Sequence, residues 1–294
     1  MSHWDAIAEH ITNNTGIAFE INSSQGISGG CINTAFMITN GTEKYFVKMN
    51  QHSRADMFRA EFQGLNELYK SHTLRVPQPV CTGVAESQCY LVLEFLEMGS
   101  ANHAGAQTLG KNLAAMHQVT SEQFGWDMDN TIGSTPQINN SSSDWIEFWK
   151  YQRLGFQLDY AERTGKNGRV IERGYRLCES LDYFFDNYTP TASLLHGDLW
   201  SGNYAFLKNG EPVIFDPATY YGDRETDIAM TELFGGFSPD FYTEYNQCYP
   251  LDTGYKTRKT LYNLYHILNH MNIFGGGYMS QAENMIDLLL SELN

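Results

Sequence analysis

Two short stretches of this chain carry residue types whose spacing points to a reaction: Leu195-His196-Gly197-Asp198-Leu199-Trp200-Ser201-Gly202-Asn203 and Phe215-Asp216-Pro217. An aspartate followed in one polar loop by an asparagine five positions later can aim its carboxylate at a hydroxyl while the amide oxygen reaches a divalent cation. A second aspartate, closing the next hairpin, would complete the protein's share of that cation's shell. Few, hard oxygen ligands suit Mg2+ that is also bound by phosphates, with Asn203 and Asp216 as ligands and Asp198 at the hydroxyl. The chemistry that this spacing implies is phosphoryl transfer to an alcohol. Two polar turns would explain the letters but not their order and spacing.

The loop H-G-D-x-x-x-x-N stands where protein kinases carry H-R-D-x-x-x-x-N, and Asp216-Pro217-Ala218 stands where they carry D-F-G. That template also asks for a glycine turn, a strand lysine, a helix glutamate and a hinge, and all occur upstream in that order. Gly26-Ile27-Ser28-Gly29-Gly30-Cys31-Ile32-Asn33 lets Gly29 and Gly30 lay backbone N–H groups over phosphates, although its glycine pattern departs from both Walker A and G-x-G-x-x-G. Lys48 follows Tyr45, Phe46 and Val47 on an alternating strand and is placed to contact nucleotide phosphates, with Glu61 on the next helix as its ion-pair partner. Leu91 to Leu96 reads as a buried strand entering a junction, where the Glu94 carbonyl and the Leu96 backbone would hydrogen-bond adenine. Singly, each of these is a weak signal; a lone Lys or Glu is more often a solvated charge.

The elements that must hold these residues differ between the two parts of the chain. Ile32 to Ile38 and Lys44 to Met49 alternate about Asn40-Gly41, a type I′ hairpin signal, and Arg54 to Tyr69 has helical apolar spacing. Beyond Glu97 long helices are predicted over 106–118, 144–163, 170–187, 258–274 and 281–293, interrupted by short strands between Ser193 and Phe215. Gln137 to Ser143 reads as a loop, and the Gly235-Gly236 and Gly275 to Gly277 runs as helix-end turns. The expected fold class is α+β, protein-kinase-like and bilobal. A small antiparallel sheet lobe with a helix (1–96) would bind nucleotide, and a larger, mainly helical lobe (97–294) would carry catalysis and substrate.

Composition limits the partners. The chain has 294 residues, 42% hydrophobic and 18% charged, enough to bury a real core. A net charge of -15 repels nucleic acid and anionic lipid, and no apolar run has the length of a membrane helix. No secretory signal opens the sequence, so a cytoplasmic location is expected. The five cysteines form no CxxC pair and are expected to be reduced thiols. Cys31, beside Gly29 and Gly30, is expected to be redox-sensitive, with a monomer or a Cys31-linked homodimer as the assembly. His266 and His270 share a helix face, but Ile267 stands where a zincin has Glu, so they are read as packed or substrate-wall residues.

The segments LLHGDLWSGN, FDPATYYGDRETDIAM, GGCIN and LYHILNHMNIFGGGY together resemble the fructosamine kinase (ketosamine-3-kinase) family over nearly the whole chain. The resemblance implies ATP- and Mg2+-dependent phosphorylation of the 3-hydroxyl of a small-molecule or protein-bound ketosamine, leading to deglycation. It further implies Asp198 as base, Trp200 on the substrate's carbon chain, Tyr220 and Tyr221 on the same wall, and Asp227 as a scaffold acceptor for the catalytic loop. A kinase for choline, homoserine or an aminoglycoside uses the same H-G-D loop, and a non-catalytic nucleotide-binding regulator would lack Lys48, Asp198, Asn203 or Asp216, all of which are present.

Overall fold

The structure, a computed structural model, describes residues 3–27 and 33–293. Its first part is a five-stranded antiparallel sheet in the order β1-β2-β3-β5-β4, built from Ser23–Ile27, Thr34–Thr39, Lys44–Gln51, Pro79–Ala85 (β4) and Gln88–Glu94 (β5). Helix α1 (His3–Thr15) buries Ile7 and Ile11 on one face of it, against Val47, Met49, Tyr90 and Val92. Side chains alternate along a strand, so Lys48 lies on the opposite face, the one that Phe46, Leu91 and Leu93 turn toward α2 (Ala55–Lys70). The β2–β3 hairpin forms as expected, but its connection is a four-residue loop and not a type I′ turn, since Thr39 pairs with Lys44. Among the loop residues only Gly41 takes a positive φ (99°), and Asn40 Oδ1 instead accepts the Thr42 and Glu43 N–H groups at 2.9 and 2.7 Å.

The second part is mainly helical. Its elements are α3 (His103–His117), a small hairpin β6 (Asn130–Ile132) and β7 (Thr135–Gln137), α4 (Trp145–Trp149), α5 (Gly155–Arg163) and α6 (Arg169–Cys178). Then come β8 (Ser193–Leu195), β9 (Tyr204–Phe206), β10 (Pro212–Ile214), β11 (Tyr220–Gly222), α7 (Glu225–Leu233), α8 (Pro239–Cys248), α9 (Tyr255–Phe274) and α10 (Gly277–Ser291). The helix expected over 144–163 is continuous, with Asp144 as its cap and one π-helical turn, Lys150–Leu154, joining α4 to α5. The one expected over 170–187 breaks after Cys178 into a 3-10 turn, Leu181–Phe185. Every residue of α9 from Leu261 to Asn269 is buried, so this helix is the axle of the lobe, packed against Trp145, Trp149 and α10. Gly235, Gly236, Gly275 and Gly276 all have positive φ at helix ends, as expected of turns. Among the described residues no helix is long and apolar enough to cross a membrane.

The packing of α3 on α8 depends on a missing side chain: a Cβ at Gly110 would lie 2.3 Å from the Phe241 carbonyl oxygen. Gly110→Ala is therefore expected to destabilise the protein by about 1–3 kcal/mol in urea unfolding, as overpacking does. Gly277→Ala, where a Cβ meets nothing within 4 Å and φ is not positive, is the control and should not destabilise.

Candidate active site

The loop 196–203 leaves β8 and is held from beneath by one carboxylate. Asp227, in the first turn of α7, accepts the His196 N–H at 2.7 Å through Oδ2 and the Gly197 N–H at 2.8 Å through Oδ1. His117 at the end of α3 donates from Nε2 to Asp227 Oδ2 at 3.2 Å, and Tyr245 donates its hydroxyl to His117 Nδ1 at 2.8 Å. Burial opposes the Asp227 charge, yet these donors hold its carboxyl below the usual range. Asp227 is thus the scaffold residue that the sequence reading expects.

The same loop is laced to the next one. His196 Nε2 donates to the Phe215 carbonyl at 3.0 Å while its Nδ1 accepts the Asp198 N–H at 3.2 Å, so the ring is a neutral tautomer, and burial lowers its pKa accordingly. Gly197 has φ +82°, and a Cβ there would sit 2.1 Å from the Ala218 carbonyl oxygen. Hence a glycine separates His196 from Asp198, in the place where the protein-kinase motif carries arginine.

Asp198 is half-buried, and Asn203 Nδ2 donates both to its carbonyl (2.8 Å) and to its Oδ2 (3.2 Å). Burial first, and then the Asp216 charge, pushes the Asp198 carboxyl up to about 7, against the opposing Asn203 hydrogen bond. Across the cleft, Asp216 sits at φ +58°, the left-handed region that aspartate tolerates better than most side chains, and presents Oδ1 to Lys48. Lys48 Nζ donates to Asp216 Oδ1 at 2.5 Å and to Glu61 Oε1 at 2.6 Å. Burial alone would lower the Lys48 ammonium, but the two carboxylates override it and hold it above its ordinary value. Glu61 is pushed upward by burial despite the Lys48 charge. Sheet, helix and catalytic lobe therefore meet at one ammonium. Helix α2 also seats on the Asp216 loop, since a Cβ at Gly64 would lie 2.9 Å from Thr219 Oγ1.

The junction between the two parts lies where β5 ends. The Glu94 carboxylate accepts from Arg75 Nη2 at 2.5 Å and from the Gln78 N–H at 3.1 Å. The Arg75 carbonyl in turn accepts the Ile214 N–H at 3.0 Å, and Gly99 donates to the Phe206 carbonyl at 2.7 Å, so the half-buried Leu96 lies in the connection. Gly29, Gly30 and Cys31 lie outside the described residues.

Trp200 is 38% exposed and meets Phe234 edge-on at 6.3 Å. Phe234 contacts His270 at 4.9 Å, and His270 contacts Phe274 and Tyr278 at 5.5 and 5.1 Å, extending one aromatic wall away from the catalytic loop. His270 donates from Nδ1 to the His266 carbonyl at 2.8 Å, and the wall keeps its Nε2 lone pair. The two tyrosines expected on this wall make other contacts. Tyr220 is 3% exposed, with the Arg153 guanidinium 4.1 Å above its ring, and Tyr221 donates its hydroxyl to Glu67 of α2 at 2.7 Å. Sequence reasoning missed Phe234, Phe274 and Tyr278, which look like ordinary core residues in a string, and His117, whose partner is 110 positions away.

A strand lysine paired to a helix glutamate, facing an H-G-D loop and a second aspartate, defines a phosphotransferase of the protein-kinase-like fold. The sequence model of the family described as fructosamine kinase matches residues 3–292, and the chain belongs to that family. It is 49% identical over 284 residues to a probable ketoamine kinase of Synechocystis, covering 96% of this chain and 95% of that protein. It is 44% identical to a chloroplastic protein-ribulosamine 3-kinase of Arabidopsis thaliana, covering 92% and 84%. The crystal structure of a Haemophilus somnus protein provisionally assigned as a fructosamine-3-kinase superposes with a TM-score of 0.90 at 30% identity, covering 98% and 97%.

The buried histidine beside this site yields a pH test. His266 on α9 is 5% exposed, its Nδ1 lacks a hydrogen-bond partner among the described residues, and burial drives its pKa down to about 3. It stays neutral in the fold while the unfolded chain binds a proton below about 6.5, so its contribution is full above that pH and falls as pH drops toward 3. Relative to His266→Gln, the wild type is expected to lose about 1.4 kcal/mol per pH unit between pH 6 and 4 in urea titrations. Parallel stability curves for the two proteins would contradict a neutral, buried His266.

Proposed function

We propose that this protein transfers the γ-phosphoryl group of ATP to the 3-hydroxyl of a ketosamine, the Amadori adduct of a sugar on an amine, in the cytoplasm. The observation that carries the reading is the convergence of Lys48, Glu61, Asp198, Asn203 and Asp216 on one cleft, in a chain of this family. The names of its relatives, ketoamine kinase and protein-ribulosamine 3-kinase, support the acceptor class.

Asp216 and Asn203 fit a Mg2+ site. Among the described contacts Asp216 uses only Oδ1 and Asn203 only its amide nitrogen, which leaves one carboxylate and one amide oxygen for a hard cation. No group of three or more His, Cys, Asp or Glu able to hold a metal occurs among the described residues, in keeping with an ion that takes its remaining ligands from phosphates and water. When bound, Mg2+ would neutralise charge on the phosphates. Lys48 holds phosphate oxygens with a charge that never titrates near neutrality, and Glu61 keeps it aimed. Gly29 and Gly30 cover the phosphates, and adenine takes backbone hydrogen bonds at Glu94 and Leu96. Asp198 orients the sugar hydroxyl and takes its proton as the oxygen bonds to phosphorus and ADP departs. Trp200, Phe234 and His270 position the carbon chain of the acceptor.

Purified protein tested for ADP release on ketosamines, choline, homoserine, thiamine and aminoglycosides is expected to turn over ketosamines alone. Preferential turnover of any other alcohol would overturn the acceptor assignment. Asp198→Asn should lower kcat by about 10²- to 10⁴-fold with ATP affinity by calorimetry unchanged. Trp200→Ala should raise the KM for ketosamine about tenfold while the KM for ATP stays put. The opposite pattern would move Trp200 to the nucleotide side.

A further inference from the structure

At the far end of β8 from the catalytic loop lies a cavity of about 310 Å3, lined among others by Thr189, Thr191, Ser193, Arg224, Tyr249 and Asp252. Its unusual member is Arg224, which is only 6% exposed. Three N–H groups of its guanidinium donate inward, to Tyr245 Oη (3.0 Å), the Tyr249 carbonyl (2.8 Å) and the Pro250 carbonyl (2.5 Å), and its face rests 3.6 Å from the Tyr249 ring centre. A guanidinium carries five such donors, so two remain. Among the described residues no carboxylate pairs with it. Glu225 and Asp252 are both taken by Arg258, and Asp223 is taken by the hydroxyls of Tyr188 and Tyr262. Beside it Ser193 is fully buried, and its hydroxyl has no hydrogen-bond partner among the described residues. Glu225 acts on Arg224 only through space, and the Asp252 carboxylate on the cavity wall is already paired with Arg258, so an anion in the adjoining space would take the remaining guanidinium N–H groups directly.

The cavity is also connected to the site. Arg224 donates to Tyr245, Tyr245 to His117, and His117 to Asp227, the carboxylate that holds the backbone of His196 and Gly197. Thr191 and Ser193 lie on the segment that runs directly into the catalytic loop. We propose that this cavity is a binding site for a small oxyanion, a carboxylate or a phosphate group, paired with Arg224, and that its occupancy tunes the catalytic loop through Tyr245, His117 and Asp227. The neutral or hydroxyl-bearing part of such a ligand fits against Thr189 and Thr191, whose side chains stand at the exposed mouth.

The test uses the full chain, with inorganic phosphate and acetate as separate probes and chloride at matched ionic strength as the reference. The comparison variant is Thr191→Tyr, which fills the mouth from an exposed position and leaves Arg224 and the core untouched. At least one probe should raise the wild-type melting temperature by about 2–4 °C at saturation and leave Thr191→Tyr unmoved. At saturating Mg-ATP that probe should change wild-type kcat at least about twofold, and in Tyr245→Phe the thermal shift should persist while the rate effect disappears. If neither probe stabilises the wild type, or if Thr191→Tyr responds equally, the site is refuted. Stabilisation with an unchanged kcat would refute the tuning role. The rate measurement rests on the proposed function and the melting measurement does not, so failure of one is distinguishable from failure of the other.

Discussion

A single ammonium group organises this molecule. Lys48 is buried at the face of the sheet, and burying a cation is unfavourable unless opposite charge comes with it. That charge comes from two other places in the chain, Glu61 on α2 and Asp216 from the loop after β10, so the ion pairs bring the three elements together. Each partner then has a constraint of its own. Register in β3 puts Val47 and Met49 on the α1 side and so turns Lys48 to the other. Gly64 lets α2 approach the Asp216 loop, and the left-handed backbone at Asp216 turns its carboxylate toward the lysine.

The catalytic loop is held by a second device of the opposite sign. Asp227 is a buried anion satisfied by two backbone N–H groups and one imidazole, and its acceptors fix the positions of His196 and Gly197. His196 then bridges to the Phe215 carbonyl, one residue before Asp216. Asp198 and Asp216 are therefore placed by one hydrogen-bonded unit anchored from beneath and from across the cleft. Burial, together with repulsion from Asp216, raises the Asp198 carboxyl to about 7, which suits the proton acceptor proposed for this position. In a chain of net charge -15, Lys48 is the cation that the proposed function assigns to the phosphates.

The residues assigned to the proposed reaction were legible in the sequence because that assignment depends on local spacing. Asp198 and Asn203 share one loop, Asp216 closes the next hairpin, and Lys48 and Glu61 lie on an alternating strand and the helix that follows it. Elements whose stability comes from distant partners were not legible. β1 reads Ser-Ser-Gln-Gly-Ile, largely exposed and polar, and β4 contains both Pro79 and Gly83; each is a strand because β2 and β5 supply its hydrogen bonds. The polar first turn of α9, Tyr255-Lys256-Thr257, hides its true start from apolar periodicity. Tyr220 and Tyr221 illustrate the limit at the site itself. On a three-residue strand nothing in the letters says which side faces the cleft, and Arg153, from a π-helical turn, captures Tyr220.

The central claim concerns a particular bond: phosphorus joined to the third oxygen of an amine-bound ketose. Phosphorus-31 NMR of the product formed by the purified protein from Mg-ATP and a fructosamine or ribulosamine, with proton correlation to locate the ester, tests it directly. The account predicts stoichiometric ADP and a phosphate monoester coupled to the proton on carbon 3, absent when Asp198→Asn replaces the wild type. An ester on another carbon, or ATP consumed with only inorganic phosphate formed, would contradict it.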